Sequence, residues 1–301
     1  VVIEKAALND GTSPVRGSFI KPVKVTGQED KCCQCNYSGE VQPLHTLWRF
    51  FPLVFTGGER NGFVLMSRIP IELIGDEGEI RFRDCLSLRY IQSAALFCRL
   101  AYGIEKEYSR TKELGPEDNL MHEAFALHAV LSAVSFLEAL INELYSDATD
   151  DMHVPDEGKT RTLFRTIAAE WRNGKNFDRA PLLTKYQRIL ALSGSHPFPE
   201  SDQAFANIRK LVAIRNFLLH YRKEWVVTSK RRRSSGDETT EAERFETMLS
   251  HAFRENPLAL KGRPFFPDRC LGHGCAEWAV INSLIVADTF FAAIGIPAPY
   301  E

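Results

Sequence analysis

Net charge is almost missing from this sequence: 37 Lys and Arg stand against 39 Asp and Glu, leaving −2. Without an overall basic field, any site for a polyanion has to be local. Several motifs are missing as well. There is no HExxH helix, no glycine-rich loop that would cradle a phosphate and no nucleophile elbow, which argues against the enzyme classes built on them. No internal repeat is present. Nothing near residue 1 joins a basic stretch to an apolar core, so no secretory signal is expected and a cytoplasmic location is. The most apolar helical stretch, 276–294, is interrupted by Glu277, Asn282 and Asp288, so no membrane span is expected.

Seven cysteines are an odd number in a chain too long to need disulfide staples, and they read as reduced thiols. Cys32 and Cys35 have C-x2-C spacing, and Cys270 with His273 repeats it. Together they would make four tetrahedral ligands for zinc. The two halves lie near opposite ends of the chain and the spacing is generic, so no metal and no cofactor is expected.

The chain divides by composition. Residues 1–83 are rich in Gly, Pro, Val and Phe, with short β-like runs at 19–25, 47–55, 62–67 and 79–83 and turn signals at Gly57-Gly58 and Asn61-Gly62. They read as a small β-rich N-terminal extension. From 84 to 301 the pattern is helical, with helices expected at about 84–108, 119–145, 160–173, 180–192, 199–225, 241–253 and 275–294. Glycines at 174, 194 and 295 mark helix ends. The expected fold is therefore mainly α, a helical bundle carrying the extension. Between 228 and 240 a basic run at 230–233 is followed by acids. It reads first as a solvated loop, and second as a salt-dependent contact for RNA.

Two helices carry a charge where an apolar residue is expected. In the fifth, the stripe Ile208, Leu211, Val212, Leu219 includes Arg215. In the second, the stripe Leu127, Leu131, Val134, Ile141, Tyr145 includes Glu138. Both charges would be costly to bury alone, so the spacing predicts that the helices pack together and Glu138 pairs with Arg215. Such a pair can serve only to fix helix register.

Around Arg215 the chemistry is denser. Asn216 stands at i−4 from His220, and Tyr221 and Arg222 follow at once. Arginine grips phosphate bidentately. An ordinary histidine titrates near neutrality and can give or take a proton. With an amide, a phenol and a second guanidinium beside them, these residues suit a phosphodiester, with Tyr221 and Arg222 as substrate-binding candidates. No metal is needed when the nucleophile is a ribose 2′-OH.

The run Arg215-Asn216-Phe217-Leu218-Leu219-His220 resembles the Arg-x4-His signature of the HEPN superfamily (higher eukaryotes and prokaryotes nucleotide-binding), with a polar residue directly after the arginine. The resemblance extends over about 84–295: an all-helical chain, the motif in a late long helix, an acid-bearing second helix and a final helix opening Cys275-Ala276-Glu277-Trp278-Ala279. Some toxins of that family carry tyrosine two positions after the histidine, where this chain has Arg222. The resemblance implies a metal-independent endoribonuclease working as a homodimer, with both motif helices lining one cleft. It implies that His220 deprotonates the 2′-OH or protonates the leaving oxygen, that Arg215 stabilises the charged transition state and that Asn216 orients either group. The products would be a 2′,3′-cyclic phosphate and a 5′-hydroxyl. Bacterial members act as toxins or anti-phage effectors beside a cognate antitoxin or defence-system protein. Others have lost catalysis and serve as sensors, adaptors or nucleotide- or protein-binding subunits.

Overall fold

The computed structural model describes residues 84–150, 158–173, 179–221 and 240–300, together with the backbone of 71–74 and 79–82. All of these lie in one unit, Phe50–Glu301. The remaining β-like runs expected from the sequence, the basic run 230–233, Arg222, Cys32 and Cys35 fall outside the described residues.

Among the described residues, two short strands come first. β1 (Ile71–Ile74) pairs antiparallel with β2 (Glu79–Phe82), Ile71 opposite Phe82. Seven described α-helices follow: α1 (Ser87–Thr111), α2 (Pro116–Asp150), α3 (Lys159–Asn173), α4 (Leu182–Ser193), α5 (Gln203–Leu219), α6 (Glu241–Leu249) and α7 (His273–Ile294). A π-helical turn, Phe265–Arg269, separates the last two. The described part is mainly α.

α2 and α7 are the inner helices. α2 packs against α1, α3, α4, α5 and α7, and α7 also meets α1, α4 and α5. Their apolar character follows from being covered on several sides. Phe136, Leu137, Leu140, Ile141 and Tyr145 of α2 are buried with Tyr186 and Ile189 of α4 and Phe290 of α7. Each such side chain contributes on the order of 1.5–3 kcal/mol by leaving water. Tyr186 meets Phe290 edge-on, ring centroids 4.7 Å apart, and its hydroxyl donates to the Leu137 carbonyl at 2.9 Å. By length and composition α2 and α7 could each cross a bilayer, but about half of each apolar window is buried inside the fold, as in a bundle's core helices.

The ends of the helices are set by different devices. α2 opens on Pro116, whose missing N–H costs nothing at that position. α5 opens behind Asp202, whose carboxylate accepts the Phe205 N–H at 2.7 Å. α6 has a capping box between Thr240 and Glu243. α4 and α7 stop at Gly194 and Gly295, both left-handed with φ of 76° and 70°.

Candidate functional site

The structure brings Arg215 and Glu138 together. α5 lies along α2, and Arg215 Nη2 donates to Glu138 Oε2 at 2.9 Å. The two charges are less buried than the sequence suggested: their side chains keep 21% and 47% of their surface in contact with solvent. The core face of α5 runs Phe205, Ile208, Leu211, Ile214. Arg215 stands beside that face at the α2 seam, and Leu219 is 55% exposed. The bond to Glu138 is the one side-chain hydrogen bond of Arg215 among the described residues.

The helix also ends earlier than its periodicity predicted. α5 stops at Leu219, and His220 has left helical geometry at φ −114°, ψ 33°, its N–H donating to the Asn216 carbonyl at 3.0 Å. His220 and Tyr221 are both exposed. Asn216 and His220 therefore present their side chains to solvent at the end of α5, while Arg215 is turned towards α2. No hydrogen bond links the side chains of Arg215, Asn216 and His220 among the described residues.

What fixes this end of α5 is an aromatic cluster. The Phe217 ring has edge-on neighbours in Tyr221 at 5.4 Å, Phe245 of α6 at 5.3 Å and Phe266 of the π-helical turn at 5.1 Å. Phe245 and Phe266 stack on each other at 4.6 Å. Aromatic pairs of this kind add about 0.5–1.5 kcal/mol each beyond the area they bury. The turn bearing Asn216 and His220 is thus held from outside its own helix.

A second polar cluster was not foreseen. Glu105 of α1 is buried among three donors: His122 Nε2 of α2 at 3.0 Å, the backbone N–H of His273 at 2.7 Å, and Arg254 Nη2. Burial pushes its carboxyl up, but the hydrogen bonds from His122, His273 and Arg254 outweigh that and hold it below its ordinary value. The His273 ring packs on Tyr102 at 4.8 Å. Burial pushes that imidazole down to about 4, against the pull of Glu105. Burial also raises the Glu277 carboxyl, and it raises the Cys98 thiol together with the charges of Glu277 and Glu105. His122 Nδ1 is buried without a partner. The sequence held one clue: Glu105 continues the buried series Ile91, Ala94, Ala101 at helical spacing.

Cys270, paired with His273 in the zinc spacing, is buried, and its thiol is held up by burial and by a hydrogen bond with Cys275. Among the described residues no group of three or more His, Cys, Asp or Glu is arranged to hold a metal. No family model, curated protein or solved structure matches the chain.

Proposed function

We propose that the protein is a HEPN-type endoribonuclease that cleaves RNA by 2′-OH attack without a metal, acting as a homodimer, as bacterial toxins or anti-phage effectors of that family do. The observation that carries the reading is the placement of the Arg-x4-His residues. Arg215 is held by Glu138, Asn216 stands exposed directly after it, and His220 stands exposed little more than a turn on. The guanidinium suits the charge that develops on phosphorus, and the exposed imidazole suits a proton transfer. Because the three side chains do not meet within one chain, a second copy facing this end of α5 would complete the group. The reading implies RNA as substrate, no cofactor, and a cognate antitoxin or defence-system protein as regulator. Tyr221, exposed beside His220, would stack on a base, and Arg222 would add a phosphate contact.

The same lack of contact between the three side chains favours a second reading, a catalytically silent HEPN module that binds a nucleotide or a protein. Incubation of total RNA with the protein in EDTA separates the two. The expected outcome is cleavage leaving 2′,3′-cyclic phosphate ends, lowered by roughly 100–10,000-fold in His220→Ala. Unchanged circular dichroism would show that the variant is folded. Intact RNA with the wild-type protein sinks the ribonuclease reading and leaves the binding module. Cleavage undiminished in the variant assigns the chemistry to other residues.

A further inference from the structure

We propose that the start of α7 is an acid-released latch, in which His273, packed beneath Tyr102 with its N–H on Glu105, keeps residues 254–272 closed until its ring takes a proton. The inference does not depend on what the end of α5 does to RNA.

The packing here leaves no slack. A side chain at position 274 would place its Cβ only 2.2 Å from the Arg254 carbonyl oxygen, and one at 272 would lie 2.9 Å from Asn256 Cβ and 3.0 Å from Glu105 Oε1. Glycine at both positions lets residues 254–256 close against the first turn of α7. The N-cap of α7, Gly272, has no side chain to offer, so the carboxylate of Glu105 receives the His273 N–H in its place. Arg254 reaches the same carboxylate from the segment itself. Asn256 Nδ2 then holds the Asp268 carbonyl at 3.0 Å, and the Asn256 N–H holds the Arg269 carbonyl at 2.8 Å. Glu105 thus anchors both the start of α7 and Arg254 at the head of the segment.

A proton on His273 disturbs that anchor. Facing the ring are Tyr102 and Glu105 from α1, His122 from α2 and Arg254 from the segment, while Cys98, Cys275 and Glu277 join the same cluster through Glu105. Glu105 is already engaged by Arg254, His122 and the backbone, and burial raises the Glu277 carboxyl. Burial keeps the Cys98 thiol neutral. An imidazolium would therefore sit desolvated with Arg254 close by, and opening relieves it.

The direction of the pH effect follows. The closed-state imidazole lies at about 4 against an ordinary 6.5. The closed form is fully favoured above 6.5 and loses that advantage as pH falls towards 4. Glu105, also held low, loses its contribution in more acid solution still. Glu277 works the other way, since burial raises its carboxyl and closing favours its protonation. Release reaches the end of α5, because the segment carries Phe266, which packs on Phe217.

Hydrogen exchange on the full chain, corrected for the intrinsic pH dependence of amide exchange, tests the latch. Opening of residues 254–272 should rise by up to about 30-fold between pH 7.5 and 5, with a smaller rise at 216–221, and His273→Phe should remove most of that rise. A flat wild-type profile overturns the latch, and so does an equal rise in the variant. Should His273→Phe fail to fold, ring titration of His273 by NMR in the wild type decides. A midpoint far below the ordinary histidine range, with exchange rising on acidification, supports the latch. An ordinary midpoint with unchanged exchange overturns it.

Discussion

The Arg215–Glu138 pair is a case where exposure decides the energy. A deeply buried pair would leave an uncompensated charge when one partner is removed, at a cost of about 3–5 kcal/mol. These two side chains keep 21% and 47% of their surface in solvent, so the pair contributes at most about 1 kcal/mol. Glu138→Gln is therefore expected to move the melting temperature by no more than a few degrees. If Arg215 grips phosphate, the same substitution changes the salt dependence of RNA binding, because it releases the guanidinium from its acid. A large fall in stability with unaltered RNA binding would make the pair a register lock and nothing else. This contact was legible in the sequence, since a charge inside an apolar stripe needs a partner. Glu105 obeys the same logic on the face of Ile91, Ala94 and Ala101. It was hidden because Lys106 and Glu107 follow it, and together they resemble the solvated end of a helix.

At the scale of elements, local signals and distant ones have different visibility. α2 opens at Pro116, three residues before the start expected at about 119, but Gly194 and Gly295 act through their own backbones, and the helix ends near them follow from the sequence. The starts of α1 and α7 do not. Leu86 and Gly272 offer no side-chain acceptor, and each helix is capped from another: Glu143 of α2 accepts the N–H groups of Leu86 and Ser87 at 2.7 and 2.9 Å, and Glu105 of α1 accepts the N–H of His273 in α7. No pattern within the capped helix announces a carboxylate that arrives from more than fifty residues away. The end of α5 is illegible for a related reason, because nothing in its apolar periodicity marks the break at His220. Glu143→Ala should cost about 0.5–2 kcal/mol, the range of a lost N-cap, and Thr240→Ala in the capping box of α6 should cost about 1 kcal/mol. Thermal unfolding measures both. Hydrogen exchange should place the first loss at the start of α1, and a loss spread evenly over the bundle would refute capping as the role of Glu143.

For the whole molecule, the candidate site raises a question of assembly. The exposed end of α5 presents Asn216, Leu219, His220 and Tyr221 on one side of the bundle, and Leu219 and Tyr221 are 55% and 58% exposed. Apolar side chains scattered singly on a surface are ordinary, but here two of them flank the polar residues that the proposed chemistry needs. A twofold contact would set each copy's patch against its equal and bring two sets of Arg215 and His220 to one seam. Leu219→Glu separates this arrangement from a monomeric site. At an exposed position the substitution should change folding stability by no more than about 0.5 kcal/mol. Across a twofold seam it would place two carboxylates close together and strip out apolar contact, so the dimer should dissociate. The expected result is a halved mass in sedimentation, an almost unchanged thermal transition extrapolated to low protein concentration, and loss of RNA cleavage. A variant that cleaves as a monomer would show that one chain holds a complete site, and the shared seam would have to be abandoned while His220 kept its role.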